Sequence, residues 1–348
     1  MGGIWETQNK VLPGVYINFL SDKPLAITPG DRGIVTMPLE LSVGSKGDVY
    51  VETILTSDMK DKNLKYTETD YLPIREALKN ASKVIVYNLG SKTHTTGDID
   101  AYLEKMLIEE FNTMAYIYAV EGVATKIVTW IKGVREDEGK SVQAVLSNTE
   151  ADHEAIINVG NGVILSDGTE LTAAQCCAWV AGATAGAKVN QSLTNFKYFD
   201  AVDVKPRLTK TQQEEAITAG KLVFKVNSAQ HVTCLYDINS LTSFSSEKSK
   251  DFRKNRVMRV LDGINNDITT IIESNYLGKE NNNEAGRSIV KAALIDYFNE
   301  LQRINAIQNF DNKDITVSPG KESDAIVVDV YIQPVDSIEK MYMTVNVK

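Results

Sequence analysis

The chain has 348 residues, 43% of them hydrophobic, which is enough for two or three domains with a sizeable core. Its formal net charge of −9 argues against nucleic acid as a partner, and no apolar run approaches the roughly 18 residues that a membrane span requires. The start has no apolar segment after a basic one, and three cysteines, two of them adjacent, fit a reducing compartment. The composition predicts a globular protein made and kept in a cytosol, without membrane insertion.

The first predicted element is an isolated strand close to the N-terminus. In "PGVYINFL", an apolar and polar alternation follows a Pro-Gly turn signal, and "SDKP" ends it. The strand comprises Val15, Tyr16, Ile17, Asn18 and Phe19. We therefore interpret residues 1–28 as an arm, joined to the rest of the chain by a linker over residues 21–30.

Residues 29–90 contain short extended runs bounded by Gly, Asp and Pro, from "PGDRGIVTMPLEL" to "VIVYNLG", and one helix around residues 71–80. This pattern predicts a small β-rich domain.

Residues 91–240 alternate between helical and extended patterns. Helices are predicted near residues 99–110, 125–138 and 152–157, and strands at "MAYIYAV", "VQAVLS" and "GVIL". Such alternation is typical of βαβ units, so we expect a central α/β domain with a mixed, largely parallel sheet. The Ala- and Gly-rich run "LTAAQCCAWVAGATAGAKV" predicts a helix that packs closely against that sheet.

Residues 241–348 predict an α+β C-terminal domain. Two helices, over residues 252–275 and 286–307, each keep one apolar face, and "AIVVDVYIQP" reads as a strand. The chain finishes on "MYMTVNVK", where Met341, Met343, Val345 and Val347 alternate with polar or aromatic residues that include Tyr342, Thr344 and Asn346. This period of two predicts a strand of roughly 27 Å with no following partner strand.

Sequence motifs for chemistry are weak. "GATAGAK" lacks the spacing of a phosphate loop, because three residues separate Gly182 from Gly186 and Ala187 precedes Lys188. Close helix packing through small residues is the better interpretation. His153 stands between two acidic residues, but neighbours on a helix point to different faces, so we interpret it as part of an exposed helix start.

The other histidines offer no ligand set. His94 lies in a polar run, and His231 has only Cys234 at ligand spacing, which is one pair and not a zinc site. The sequence also has no G-x-S-x-G elbow. We therefore assign no catalytic residue, no cofactor and no metal, although an α/β hydrolase-like protein or a small-ligand-binding cytosolic protein remains the alternative reading.

Several stretches, in matching order along nearly the whole chain, resemble the sheath protein of contractile phage tails and of related phage-tail-like bacteriocins and defective prophages. They are "PGVYINF", "DRGIVTMPL", "WVAGATAGAKVNQSLT" with "AVDV", "DINSLTSF", "FRKNRVMRVLDGINNDI", "YLGKENNNEAGRSIVKAALIDYF" and "VVDVYIQPVDSIEKMYMTV". Longer sheaths carry an extra domain after the strand equivalent to "VIVYNLG", where this chain has only "SKTHTTGD". The resemblance thus implies a compact sheath subunit.

The resemblance also implies how such a chain works. Each subunit's two terminal strands, residues 15–19 and 341–347, would join a sheet in neighbouring subunits, and the copies would form a helical array of stacked sixfold rings. The array would surround an inner tail tube, with baseplate and tail terminator proteins as further partners, and would contract to drive the tube through a bacterial envelope. The particle would be assembled in the host cytoplasm. The C-terminal domain would face the tube, with four candidate contacts: Arg256, Arg259, Arg287 and Lys291.

Overall fold

In the computed structural model, residues 32–54 and 66–347 are described, so the predicted strand at residues 15–19 and the whole of its predicted linker lie outside the described residues. The order along the chain is β1 (Ile34–Leu39), β2 (Val49–Thr53), α1 (Glu68–Leu78), β3 (Lys83–Asn88), α2 (Thr96–Met106), β4 (Thr113–Ala115), α3 (Val123–Glu136), β5 (Gln143–Ser147), β6 (Ile156–Val159), β7 (Gly162–Leu165), β8 (Glu170–Leu171), α4 (Ala173–Gly186), β9 (Ala201–Lys205), α5 (Lys210–Thr218), β10 (Lys221–Leu222), β11 (Phe224–Val226), β12 (Val232–Cys234), α6 (Asn255–Asn275), α7 (Glu284–Arg303), β13 (Ile307–Gln308), β14 (Ile315–Pro319), β15 (Ile326–Val330) and β16 (Gln333–Pro334).

The main sheet has seven strands in the order β10-β6-β5-β4-β1-β3-β2. All neighbours run parallel except β2, which is antiparallel to β3, so the predicted mixed and largely parallel sheet is confirmed. The strands from residues 29–90 do not form a sheet of their own, because β1 pairs with both β3 and β4 and joins the two predicted domains in one hydrogen-bonded sheet. The predicted boundary at residue 90 therefore crosses a single sheet.

Both faces of the sheet are covered by helices, which is why its central strands are nearly continuous apolar runs. One core lies on the face that carries α1 and α4, and a second lies on the face that carries α2 and α3. Neighbouring side chains of β3 alternate between the two: Val84 and Val86 belong to the first core, and Ile85 and Tyr87 belong to the second.

The predicted packing of the Ala- and Gly-rich helix against the sheet is confirmed, since α4 shares the first core with the sheet strands, and its glycines also bring it close to α1. A Cβ atom on Gly182 would lie 2.2 Å from the carbonyl oxygen of Ala77, and one on Gly186 would lie 1.9 Å from that of Asn80. The two glycines therefore let α4 approach the backbone of α1 and of the turn after it, closer than any other residue would allow.

The predicted helix at residues 152–157 is wrong. Asp152 has a φ of 45°, in the left-handed region, and its carboxylate accepts hydrogen bonds from the backbone N–H groups of Thr242 and Ser243. Residues 155–157 are then buried one after another as β6 begins at Ile156, which suits a strand covered on both faces. The predicted strand at "MAYIYAV" is also shorter, because β4 covers only Thr113–Ala115.

The C-terminal region has a third core, formed by α6, α7 and the strands after them. The two predicted amphipathic helices are confirmed, beginning at Asn255 and Glu284. After α7 the chain forms an antiparallel hairpin of β14 and β15, while β13 pairs with β16.

Candidate functional site

The C-terminal segment, residues 341–347, lies in no helix or strand and presents apolar side chains to solvent. Met341, Met343, Val345 and Val347 are between 71% and 94% exposed, and Tyr342 is 93% exposed. A run of exposed apolar residues usually marks an interaction site. Within the described part of the chain, this predicted strand has no neighbouring strand to pair with.

The hairpin of β14 and β15 is a possible acceptor for such a strand. Its sheet has two strands, with a register from Ile315 opposite Val330 to Pro319 opposite Ile326, so each strand has one edge without a neighbouring strand among the described residues. Unpaired edges of this kind present rows of N–H and C=O groups that can pair with another chain.

An apolar cavity of about 450 Å³ lies beside this hairpin. From β15, the alternate side chains Ile326, Val328 and Val330 point into it. The end of α6 and the start of α7 complete its wall, with Ile268, Ile272, Leu277, Val290 and Leu294. A strand added next to β15 could place its own alternate apolar side chains over this cavity.

Sequence reasoning missed this hairpin, although it had predicted the strand that contains β15. The signal was available: "ITVSP" and "IVVDV" are two extended runs separated by the turn-forming residues "GKESDA". The two runs form β14 and β15.

One of the four predicted tube contacts is wrong. Arg259 is fully buried, so it cannot face another protein. Its guanidinium donates to the backbone oxygens of Gln191 and Thr184 and lies 3.6 Å from the carboxylate of Asp237. On a helical wheel it flanks the apolar stripe, but the central domain covers that flank with backbone acceptors and a buried carboxylate.

The other three predicted contacts are half-buried on the C-terminal helices. A guanidinium nitrogen of Arg256 lies 3.4 Å from the carbonyl oxygen of Asn305. Arg287 lines the apolar cavity and donates to the side-chain oxygen of Asn282 at 2.9 Å. Lys291 lies one turn further along α7, so Arg287 and Lys291 occupy the same side of that helix. Their contact with a tube stays a prediction.

Buried polar contacts fasten α6 to the central domain. Asp262 accepts from Arg135 of α3 at 2.7 Å, and Asn266 exchanges hydrogen bonds with the backbone of Ser141. At the start of the helix, the side chain of Asn255 donates to Asp237 at 2.9 Å. These contacts, together with those of Arg259, hold the central domain and α6 in one arrangement.

His94 and His153 have structural partners, whereas His231 is exposed. His94 is buried, with Nδ1 2.7 Å from a carboxylate oxygen of Glu40 and Nε2 2.8 Å from the hydroxyl of Tyr116. His153, predicted at an exposed helix start, is buried instead, and its Nδ1 accepts from the backbone N–H of Ala155 at 3.1 Å. Burial lowers the pKa of His153 to about 4, so the ring is neutral at pH 7.

The three cysteines are free thiols and all are buried. Burial raises the pKa of Cys176, Cys177 and Cys234, so each stays protonated and unreactive.

In the described ranges, no group of three or more His, Cys, Asp or Glu side chains could hold a metal ion. The helices of residues 32–54 and 66–347 include none that is long and apolar enough to cross a membrane.

Family models cover most of the chain. Residues 92–240 match the phage tail sheath protein central domain, and residues 247–348 match the phage tail sheath C-terminal domain. The tail sheath protein of Clostridium phage phiCD119 is 30% identical over 313 residues, which are 89% of this chain and 86% of that protein. The chain therefore belongs to the phage tail sheath protein family.

Two further relatives come from Bacillus subtilis: an uncharacterised protein, YqbK, is 41% identical over 87% of this chain, and XkdK, of the phage-like element PBSX, is 38% identical over 90%. The chain spans only 65% and 63% of the length of these two relatives.

Solved structures agree with the fold. The sheath tail protein from Desulfitobacterium hafniense is 34% identical, with a TM-score of 0.83 that covers 96% of this chain and all of that one. The helical sheath of the anti-feeding prophage, in its contracted state, shares the fold at 17% identity, with a TM-score of 0.72 and coverage of 97% and 99%.

Proposed function

We propose that this chain polymerises into a helical sheath around an inner tail tube and contracts to drive that tube through a bacterial envelope. One observation supports this most directly: an exposed strand-like segment at residues 341–347 occurs in the same chain as a two-stranded hairpin with unpaired edges and an apolar cavity. The segment has the alternation that the hairpin needs from a third strand.

Exchange between copies follows from this complementarity. A strand from one subunit pairs through its main chain with β14 or β15 of the next, and its alternate side chains cover the apolar surface. In the same proposal, the predicted N-terminal strand, at residues 15–19, pairs beside this exchanged strand in the same sheet. A contact of this kind is heterologous, so repeating it with a rise gives an open helical tube and not a closed dimer.

The proposed partners beyond other copies are the inner tube protein, the baseplate and the tail terminator. Stacked sixfold rings are the proposed arrangement, and a related fold occurs in the sixfold-symmetrised baseplate of the anti-feeding prophage. The subunits assemble in the host cytoplasm. On the tube-facing side, Arg256, Arg287 and Lys291 are the candidate contacts, and Arg259 is no longer among them.

Contraction in this proposal needs no bound fuel. An extended array, templated on the tube and baseplate, is metastable, and it releases free energy as subunits swing outward and bury more surface against each other. Since buried contacts fasten α6 to the central domain, those two regions swing as one body, and the exchanged strands stay paired through the movement.

The first test removes the exchanged strand. A chain lacking residues 341–348 should be a folded monomer that forms no tubes, because these residues complete a neighbour's sheet and not their own core. Electron microscopy should show tubes or sheets for the full chain and discrete particles for the shortened one. Long tubes from the shortened chain would refute the linking role.

Cysteine pairs test which strands meet. One cysteine at Asn18 is paired with another at Thr344 or Asn346, and a separate pair joins Thr344 to Val327, which is 46% exposed on β15. The native thiols are buried and should not interfere. Crosslinks that ladder through dimers, trimers and higher species would support exchange between chains, whereas a product that stays at monomer mass would contradict it.

A further inference from the structure

One buried carboxylate, that of Glu339, fixes the point at which the C-terminal segment leaves the subunit. Its side chain is only 7% exposed, although Ile338 beside it is 89% exposed and every described residue after it is exposed. Glu339 is therefore the last side chain that the body of the subunit covers before the segment at residues 341–347 begins.

Both carboxylate oxygens of Glu339 are used. One accepts a hydrogen bond from Thr194 at 2.7 Å and lies 3.5 Å from the hydroxyl of Ser192 and 3.3 Å from that of Ser337. The other is paired with the ammonium group of Lys254. Two of these groups belong to the loop after α4 in the central domain, and Lys254 is the residue directly before α6.

The cation in this cluster is itself held in place. The ammonium group of Lys254 lies 4.4 Å from the centre of the Tyr236 ring and 3.2 Å from the carboxylate of Asp336. Burial by itself lowers the pKa of Lys254, but its hydrogen bonds with Glu339 and Tyr236 outweigh burial and raise that pKa above the ordinary lysine value. The lysine is consequently charged at pH 7.

We propose that Glu339 is a positioning residue for strand exchange: it fixes the point at which the C-terminal strand leaves the subunit, at the junction of the central domain and α6. This inference rests on the proposed function, because it concerns how the exchanged strand is presented. Fixing this point in advance removes part of the ordering cost that exchange would otherwise carry.

The length of chain involved sets the size of the effect. Upstream of Glu339, the next backbone anchor is the N–H of Val335, which donates to the carbonyl oxygen of Ala306 at 2.9 Å. Releasing Glu339 frees residues 337–340, because Asp336 is still paired with Lys254, and this adds up to about 14 Å of slack at roughly 3.4 Å per residue. The tether to residue 341 grows from about two residues to about five, and effective concentration that falls with the −3/2 power of length drops about fourfold.

The test compares Glu339→Gln with Glu138→Gln in the full chain. Both changes remove one carboxylate charge, but Glu138 is exposed at the end of α3. We expect Glu339→Gln to raise the lowest concentration at which tubes form by about fourfold, with faster hydrogen exchange at residues 337–340 of the monomer. Glu138→Gln should change neither. Thr194→Val keeps the ion pair and removes one hydroxyl donor, so it should give a smaller change in the same direction. It replaces Glu339→Gln as the test variant if Glu339→Gln does not fold.

The outcomes separate this inference from the proposed function. If removal of residues 341–348 abolishes tubes while Glu339→Gln and Thr194→Val assemble and exchange like the parent chain, the positioning role is overturned and strand exchange stands. If the chain without residues 341–348 still forms tubes, strand exchange itself fails.

Discussion

The contact between α4 and α1 gives the sharpest test of the fold, because a single methyl group has no space there. In Gly182→Ala, the new Cβ would lie 2.2 Å from the carbonyl oxygen of Ala77, whereas real Cβ contacts below 3.0 Å do not occur. The obstructing atoms belong to the backbone and cannot rotate away. The two helices must therefore separate by at least 0.8 Å, which disturbs a core in which α4 also packs on the sheet.

The expected loss follows from two opposing contributions. Overpacking a dense core costs about 1–3 kcal/mol, and backbone obstruction places this site at the upper end. Replacing glycine by alanine inside a helix returns about 1 kcal/mol. The net loss is about 2 kcal/mol, which corresponds to a fall in Tm of about 3 °C for a chain of this size.

The chain offers a matched control. Gly133 is also inside a helix, and its added Cβ would meet only a side-chain oxygen of Asp137 at 3.6 Å, an ordinary contact. Gly133→Ala should therefore raise Tm by about 1–2 °C, since only the helix preference remains. Calorimetry of both variants, in the chain lacking residues 341–348 so that assembly does not contribute, measures the difference. Equal stabilisation by the two changes would refute the close approach of α4 and α1.

Three other predictions concern charge. Arg259→Met should lower the free energy of unfolding by about 3–5 kcal/mol, measured by denaturant titration, because it leaves the buried carboxylate of Asp237 without its ion-pair partner. Stability should fall as pH drops from about 6.5 to about 4, since the unfolded chain protonates His153 and the buried ring does not; His153→Asn, which keeps an acceptor, should flatten this slope in pH-dependent melting. Charge reversal at Lys291 or Arg287 should weaken assembly on the inner tube more at low salt than at high salt, and equal loss at both salts would indicate a packing defect instead.

Sequence reasoning succeeded where local pattern and tertiary packing agree. The Ala- and Gly-rich run of α4 has small residues where α1 approaches, and α6 and α7 keep apolar faces toward the third core. Composition and period alone were sufficient for these elements, because each residue type suits both the helix and its neighbour.

It failed where the decisive partner is distant in sequence. Arg259 looked solvent-facing because the acceptors that bury it lie at residues 184, 191 and 237. The helix predicted at residues 152–157 failed because Asp152 is bound by backbone N–H groups about 90 residues later. The place of β1 between β3 and β4 likewise depends on pairings between non-consecutive strands, which no periodicity encodes.

Arg32 and Glu339 are the points at which the predicted N-terminal arm and the C-terminal segment join the rest of the subunit. Their positions indicate where movement occurs in the proposed contraction. Arg32, the first described residue after the N-terminal arm, is largely buried beside α6, where burial and then the nearby Arg259 lower its pKa to about 10. Glu339, the other of these two points, is paired with Lys254 at the start of that same helix. Both arms thus leave a body whose central domain and α6 are joined by buried contacts. If the exchanged strands remain paired, displacement between neighbours has to be taken up in the chain outside that body. On the N-terminal side, the 13 residue steps from Phe19, the end of the predicted strand, to Arg32 span at most about 45 Å when fully extended, and this length is the upper limit on how far Arg32 can move from that strand.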